Sequence, residues 1–210
     1  MNIIQGGVTA PKGFLANGVH CGIRKNKTKK DLTLIISRRR ARAACVYTQN
    51  LVKGAPIYVT MENMSDGYAR GIICNSGNAN TCNENGMEIA REMCALVNKH
   101  TGINANDVIV ASTGVIGLPL PIEPIKNSMD ALVSGLGDSY EHGISAAEAI
   151  MTTDTRKKEI AVSFLIGGKV CKMGAIAKGS GMIHPNMATM LIFITTDALI
   201  SHEMLQNALS

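Results

Sequence analysis

Short apolar stretches alternate with polar turns along the chain, and their composition predicts strands. The stretches are rich in Val and Ile and are bounded by Gly, Asn or Pro, which is typical of buried strands. They are Leu32–Ile36, Cys45–Tyr47, Ile57–Val59, Gly71–Cys74, Val108–Ala111, Glu159–Ile166, Lys169–Met173 and Met190–Thr195. Gly167 and Gly168 separate two of them, and a Gly-Gly pair in that place predicts a two-residue hairpin.

A second spacing, with apolar residues at i, i+3, i+4 and i+7, predicts helices between the strands. One such stripe runs from Ala90 to Val97 and is ended by Gly102, and another runs from Ile125 to Leu136. Strands outnumber helices, so the pattern predicts an α+β fold in which helices cover sheets. Repeats and long linkers are absent from the sequence, which predicts a single domain over residues 1–210.

Two serines mark the starts of further helices. Ser145, with Glu148 three residues later, resembles a capping box and predicts a short third helix through Ile150. A fourth helix is predicted after Ser201. It reaches Ser210 without a glycine or a polar tail, so we expect the chain to stop within an element.

The composition narrows the class of protein. Apolar residues make up 46% of the 210 residues and charged residues 18%, which is typical of a globular chain. Aromatic residues are only 3%, with no Trp, which disfavours single-strand nucleic-acid binding by base stacking. No apolar run approaches the roughly 20 residues of a membrane span. The amino terminus does not resemble a signal peptide, so we expect a cytoplasmic protein.

Positive charge is concentrated at the amino-terminal end. Residues 1–53 hold 11 of the 21 lysines and arginines and a single acid, Asp31. The clusters at Arg24–Lys30 and Arg38–Arg42 favour a solvated turn followed by the outer edge of a strand. An RNA-binding surface and electrostatic steering of small acidic substrates remain alternatives.

The six cysteines are dispersed and form no Cys-x-x-Cys pair. This spacing disfavours both a metal site and a disulfide framework, and it predicts reduced cysteines that pack as small apolar side chains. Cys74 precedes a Gly/Asn segment and leaves a thiol enzyme as an alternative. That reading is weak because no Cys–His pairing is evident in the sequence.

Three glycine-containing polar segments adjoin predicted strands. Asn75–Asn80 has the composition of a strand-to-helix loop. Ala111–Gly117 ends a strand at Thr113 and Gly114, where a glycine can turn a backbone N–H towards an anion, although an ordinary tight turn fits the spacing better. Ala177–Thr189 has the lysine and glycines of a phosphate cradle but not the order of a P-loop.

Thr189 is a candidate nucleophile only under one condition. A threonine hydroxyl needs an adjacent base, and its own free α-amino group can serve if the chain is cut between Ala188 and Thr189. That amine titrates at about 7.7–8.0, so a fraction is neutral at cellular pH. Because a threonine that begins a strand is usually structural, chemistry alone does not select Thr189.

Five motifs resemble those of one family. The run Lys178–Thr189 (KGSGMIHPNMAT) is similar to the self-cleavage motif of the ornithine acetyltransferase family (glutamate N-acetyltransferase, ArgJ). The resemblance extends, in the same order and with approximately the same spacing, to Gly6–Phe14, Asn75–Asn80, Ser112–Gly117 and Met151–Thr155.

The resemblance implies an acyltransferase of arginine biosynthesis. Such an enzyme moves acetyl from N-acetylornithine to glutamate by a ping-pong cycle, and some members also accept acetyl-CoA as a co-substrate. It implies self-cleavage between Ala188 and Thr189, acetylation of Thr189, and an oxyanion held at Thr113 and Gly114. It further implies substrate contacts at Thr152, Lys178 and Thr189, and no cofactor or metal.

The resemblance also implies a layered α/β/β/α fold, similar to the amino-terminal-nucleophile-like aminopeptidases (DmpA). Residues 1–188 correspond to an α chain and residues 189–210 to the start of a β chain, in a family whose assemblies are α2β2 heterotetramers. Family members are roughly twice as long, so the expected fold is incomplete at the carboxyl end and a separate β chain is an expected partner. An inactive or partner-dependent fragment of a truncated or split gene is the alternative function.

Overall fold

The computed structural model describes residues 1–179 and 190–210. The strands in this part of the chain are β1 Asn2–Ile4, β2 Phe14–Val19, β3 Leu32–Arg42, β4 Tyr68–Asn78, β5 Val108–Val115, β6 Lys158–Ile166, β7 Lys169–Lys178 and β8 Leu191–Thr196. The helices are α1 Ala55–Asn63, α2 Gly86–Thr101, α3 Glu123–Ser134, α4 Tyr140–Ala149 and α5 His202–Leu209, and a 3-10 turn covers Ala105–Asp107.

The strands form two four-stranded sheets. The first has the order β2-β3-β4-β5, and β4 and β5 are its parallel pair, joined by the crossover helix α2. The second has the order β1-β6-β7-β8 and is antiparallel throughout. The carboxyl ends of β4 and β5 therefore lie side by side at one edge of the first sheet.

Two apolar clusters hold the layers together. One lies between the first sheet and helices α1 to α3 and includes Met93 and Leu132. The other lies between the two sheets, includes Ile35 and Ile176, and is completed by α4. The order of layers is thus helices, first sheet, second sheet, as expected for an α/β/β/α fold.

The outer face of the second sheet is apolar and exposed. Along β8, Phe193 points into the core, whereas Ile192 and Ile194 are 47% and 46% exposed. Ile160 on β6 is also exposed. The residues that the structure describes therefore supply three of the four expected layers.

Several local predictions are confirmed. Gly167 and Gly168 form the β6–β7 hairpin turn with φ of 55° and 77°, values that favour glycine. Helix α2 ends where Gly102 adopts the left-handed conformation. Helix α5 begins after Ser201, whose Oγ accepts a hydrogen bond from the N–H of Met204.

The strand predicted at Ile57–Val59 is wrong, because these residues lie inside α1. Pro56 stands in the first turn of that helix, where its fixed φ favours helix and its missing N–H costs nothing. A short apolar run cannot be distinguished from a buried helix segment by spacing alone, and Val59 is buried here as a helical residue.

The strand predicted at Cys45–Tyr47 is also wrong, because these residues have no regular structure. Strand β3 ends at Arg42, which pairs with Tyr68, the first residue of β4. Among the described residues, no strand pairs with this apolar run to complete a ladder.

The start predicted for the third helix is wrong as well. Helix α4 begins at Tyr140 after Ser139, and Ser145 lies in its middle. The Ser145 hydroxyl accepts from the N–H of Gly18 at 3.1 Å and donates to its carbonyl at 2.8 Å, so it links α4 to β2. Glu148 forms an ion pair with Lys30 instead of closing a capping box.

Candidate active site

The adjacent ends of β4 and β5 bring two of the sequence motifs together. Ser76 pairs with Thr113, and Gly77 pairs with Gly114. Paired residues of neighbouring strands point to the same face, so Ser76 and Thr113 both face the second sheet. The Ser76 hydroxyl donates to the carbonyl of Ala149 at 2.7 Å and attaches the end of α4 to this edge.

Gly114 is required by both space and backbone conformation. Its φ is 137°, and a Cβ atom there would lie 2.3 Å from the carbonyl carbon of Gly77. Gly77 has a φ of 102°, and a Cβ there would lie 2.9 Å from Cγ of Arg24. The Gly77 backbone therefore leaves no room for a side chain at Gly114, and the Arg24 side chain leaves little room for one at Gly77, which agrees with the glycine expected at this turn.

Lys178 reaches this strand end from the second sheet. It is the last residue of β7, it is 5% exposed, and its Nζ donates to Oγ1 of Thr113 at 2.9 Å. Burial lowers the pKa of the Lys178 ammonium, and the nearby carboxylate of Asp154 opposes that shift. The structure thus unites Thr113, Gly114 and Lys178, which come from two different sheets.

Thr152 lies in the loop after α4, and this loop is held from two sides. The guanidinium of Arg24 donates to the carbonyl of Met151 at 2.7 Å and to that of Thr152 at 3.0 Å. The N–H of Thr152 donates to Oδ2 of Asp154 at 3.3 Å. Oδ1 of Asp154 also accepts from the N–H of Gly179 at 3.0 Å.

Hydrogen bonds keep Asp154 ionised. Burial by itself would raise the pKa of this carboxyl, but the hydrogen bonds from Lys158 Nζ and from the N–H groups of Gly179 and Thr152 outweigh burial and lower the pKa to about 2. The side chain is 1% exposed. A permanent negative charge therefore lies beneath the Thr152 loop at the end of β7.

Side chains of the polar segment Asn75–Asn80 form hydrogen bonds with backbone groups at this edge. Asn75 Nδ2 donates to the carbonyl of Asn78 at 2.9 Å, and Asn78 Oδ1 accepts from the N–H of Asn80 at 2.8 Å. Asn78 Nδ2 also reaches the carbonyls of Leu118 and Pro119. The loop interpretation is wrong for Asn75–Asn78, which belong to β4, and holds only for the two residues that follow.

An open cavity of about 390 Å³ adjoins the Thr152 loop. The basic side chains that line it are those of Arg24, Lys29, Lys30 and Lys157. Two acids, Glu148 and Asp154, also line it and engage Lys30 and Lys158, respectively.

Two residues of this site were missed by sequence reasoning. Arg24 was assigned to a solvated turn on account of its basic neighbours, and nothing in the sequence distinguishes it from them. Asp154 lies within the Met151–Thr155 motif, so the motif was a signal that could have identified it. The predicted nucleophile Thr189 and its cleavage partner Ala188 lie outside the described residues.

The alternative sites fit the structure less well. Cys74 is fully buried, and burial raises the pKa of its thiol to about 12, which disfavours the thiolate form. The Arg38–Arg42 cluster is partly used in ion pairs: Arg40 contacts Asp66 and Asp107 and stacks over a tyrosine ring. Both observations favour the Thr113 site over the thiol and RNA interpretations.

Residues 1–179 and 190–210 contain neither a metal-binding cluster nor a membrane-spanning helix. In this part of the chain no cluster of three His, Cys, Asp or Glu side chains could hold a metal ion. None of its helices combines the length and apolar character that crossing a bilayer requires.

Comparison with known proteins identifies relatives over nearly the whole chain. The chain is 48% identical over 209 residues to the arginine biosynthesis bifunctional protein ArgJ of Caldanaerobacter subterraneus subsp. tengcongensis, covering 99% of this chain and 51% of that relative. It is 49% identical over 211 residues to the protein of the same name from Symbiobacterium thermophilum, covering 100% of this chain and 52% of that one. The chain thus spans about half the length of these relatives.

Solved structures share the fold. A crystal structure of the ArgJ protein from Bacillus halodurans matches with a TM-score of 0.83 at 40% identity, covering 89% of this chain and 98% of that chain. Ornithine acetyltransferase from Mycobacterium tuberculosis, crystallised with ornithine, matches with a TM-score of 0.79 at 32% identity over 90% of this chain and 99% of that chain.

A more distant structure shows the fold alone. The L-aminopeptidase D-Ala-esterase/amidase of Ochrobactrum anthropi, described as a variant of the Ntn hydrolase fold, has a TM-score of 0.54 at 11% identity, covering 99% of this chain and 68% of that chain. The expected fold class is thereby confirmed. The sequence profile of the ArgJ family matches residues 15–210, and the chain belongs to the ArgJ family.

Proposed function

We propose that this chain carries the nucleophile and oxyanion groups of an acetyltransferase that moves acetyl from N-acetylornithine to glutamate. Residues 1–188 would be the α chain and residues 189–210 the start of the β chain, made by cleavage between Ala188 and Thr189. The observation that carries the proposal is the convergence of Lys178 on Thr113 beside Gly114, in a chain of the ArgJ family.

The chemistry proceeds by two acyl transfers. The α-amine of Thr189 takes the proton of its own hydroxyl as Oγ attacks the acetyl carbonyl, and Thr113 and Gly114 stabilise the resulting oxyanion. The C–N bond breaks, the leaving amine of ornithine takes the proton, and acetyl remains on Thr189. The neutral α-amine of glutamate then attacks the ester. The glutamate nitrogen gives one proton to the Thr189 α-amine, the ester C–O bond breaks as that proton passes to Thr189 Oγ, and N-acetylglutamate leaves.

The charges around the site suit these substrates. N-acetylornithine and glutamate both carry α-carboxylates, and a buried ammonium such as that of Lys178 is a strong partner for a carboxylate. The basic lining of the adjacent cavity attracts small anions in the same way. We propose Thr152 and Lys178 as substrate-contacting residues, no resident cofactor, and acetyl-CoA as an optional acetyl donor.

The proposal includes a partner. A β chain that supplies the remaining half of the ArgJ length would cover the exposed outer face of the second sheet, where Ile160, Ile192 and Ile194 are open to solvent. The assembly proposed for the complete enzyme is the α2β2 heterotetramer in the cytoplasm.

Denaturing mass spectrometry and acetyl labelling test the proposal. We expect two fragments divided between Ala188 and Thr189, and a label on Thr189 after incubation with N-[¹⁴C-acetyl]ornithine in the presence of the β half. Thr189→Ala should abolish both, and Thr189→Ser should keep cleavage. A wild-type chain that is neither cut nor labelled, even with the β half, would establish the alternative of an inactive fragment.

A further inference from the structure

We propose that Asp154 is a positioning residue that sets the Thr152 loop in register with Lys178. This inference rests on the proposed function, because it takes Thr152 and Lys178 as the groups that contact substrate. Asp154 itself would touch no substrate. It would act through two backbone amides from different parts of the chain.

The carboxylate joins two segments that are not adjacent in the sequence. Its Oδ2 accepts from the N–H of Thr152 at 3.3 Å, and its Oδ1 accepts from the N–H of Gly179 at 3.0 Å. Thr152 follows α4, whereas Gly179 directly follows Lys178 at the end of β7. One side chain therefore links the loop to the end of the strand.

Each joined segment also contacts a second part of the site, so a change in their separation would be transmitted to the groups around them. The Thr152 carbonyl accepts from Arg24 at 3.0 Å on the other side of the same residue. The Lys178 Nζ is hydrogen-bonded to Thr113 Oγ1 at 2.9 Å. Moving the Asp154 carboxylate would thus change the distance between the Thr152 backbone and the Lys178 ammonium.

Only a carboxylate fits this position. Both backbone contacts and the Lys158 ammonium are donors, and an ionised carboxyl is a pure acceptor at both oxygens. An asparagine would present an NH₂ group to one of these N–H donors and lose that contact. The low pKa of Asp154 agrees with this arrangement of donors.

An ordinary surface ion pair with Lys158 is the competing explanation. The Lys158 side chain is 42% exposed, so removal of its charge tests that explanation without touching the backbone contacts. Lys158→Met is accordingly the matched control for Asp154→Asn.

The first test is hydrogen exchange in the 210-residue chain. Asp154→Asn should speed exchange of the Thr152 or Gly179 amide at least tenfold, with protection in β4 and β5 unchanged. Lys158→Met should leave both amides as in the wild type. Equal protection of both amides in Asp154→Asn would overturn the proposal.

The second test is kinetic, on the chain assembled with its β half and compared at equal extents of cleavage. Asp154→Asn should raise KM for N-acetylornithine about tenfold while kcat changes less than threefold, and Lys158→Met should change neither. Loss of kcat with an unchanged KM would mean a general structural role and would overturn the positioning role. If Asp154→Asn does not fold, Asp154→Glu, which shifts the carboxylate by one methylene, should raise KM for N-acetylornithine relative to wild type while kcat changes less than threefold, and an unchanged KM would overturn the positioning role.

The two proposals fail in different ways. A wild-type assembly that transfers no acetyl group would refute the proposed function and this inference with it. A wild-type assembly that transfers acetyl, together with an Asp154→Asn variant of unchanged KM, would refute the inference alone.

Discussion

The two sheets of this protein share one core but differ in what covers their other faces. The first sheet, β2 to β5, is covered by helices on one face and by the second sheet on the other. Within residues 1–179 and 190–210, the second sheet, β1 and β6 to β8, is covered on its inner face only, and its outer isoleucines are exposed. The candidate active site lies where the covered faces meet, because there a buried lysine and a close-packed glycine can be held rigidly.

This difference shows which parts of the fold are stabilised by contacts within the described residues. Rigid geometry at Thr113 and Gly114 arises from the close approach of the Gly77 backbone and from the hydrogen bond of Lys178 to Thr113. The outer face of the second sheet has the apolar side chains of a core but no described layer over it. We therefore expect substitutions near the site to be costly in this chain by itself, and substitutions on the outer face to matter only when a partner is present.

The largest effect is expected for Gly114→Ala. The added methyl group would lie 2.3 Å from the Gly77 carbonyl carbon at a φ of 137°, so the strand end must move. Acetyl transfer by the assembled enzyme should fall about 100-fold or more. Gly102→Ala is the matched control, because Gly102 also has a positive φ of 71° but open space around its Cβ position. The control should lose about 1 kcal/mol of stability and keep its activity; equal losses for both variants would contradict the packing argument.

A smaller effect separates the two faces of the second sheet. The Ile176 side chain is 0% exposed between the sheets. Ile176→Ala leaves a cavity there and should lower the free energy of unfolding by about 3 kcal/mol. Ile192→Ala removes the same atoms from a side chain that is 47% exposed and should lower it by less than about 1 kcal/mol. Urea titrations of the isolated chain measure both. A large loss for Ile192→Ala would show that the outer face is already buried in solution.

The next effect depends on pH. Hydrogen bonds lower the folded pKa of Asp154 from 3.8 to about 2, so its ionised form stabilises the fold above the unfolded pKa and this contribution is lost as pH falls through the folded pKa. The free energy of unfolding of the wild type should therefore be about 1–2 kcal/mol higher than that of Asp154→Asn at pH 7. This difference should disappear between about pH 4 and pH 2. A gap that stays constant down to pH 2 would count against the ionised state.

The smallest effect concerns the cysteines. Cys82 is exposed, whereas Cys74 is buried in the core between the sheets with its pKa raised to about 12 by burial. A thiol reagent should label Cys82 within minutes and Cys74 only after denaturation. Cys82→Ser should leave stability and activity unchanged. Rapid native labelling of Cys74 would mean that the core between the sheets opens.

The strands that contain a long β-branched run or adjoin the Gly-Gly turn were predictable from the sequence, and those with neither were not. The β6–β7 hairpin and the end of α2 follow from local glycines at 167, 168 and 102. Strands β1 and β2 were missed because each lacks a long β-branched run and exists through pairing with β6 and β3. The run at Cys45–Tyr47 has strand composition but no partner ladder among the described residues.

From the sequence, the candidate site was predictable only as a set of separate motifs. The motifs identified Thr113, Gly114, Thr152 and Lys178 as candidates, and the structure unites three of them directly and ties Thr152 to the end of β7 through Asp154. Spacing could not predict that Lys178 would reach across from another sheet, since 65 residues separate it from Thr113.

The amino-acid sequence alone determined the family, the residue types of the chemistry and the local elements that have strong local signals, because backbone conformation and motif order are properties of neighbours along the chain. Tertiary structure alone decided that Arg24 binds loop carbonyls 127 and 128 residues away and that Asp154 joins two amides. Those contacts depend on how two sheets stack, and stacking is set by the sum of many weak apolar contacts, which no single stretch of sequence encodes.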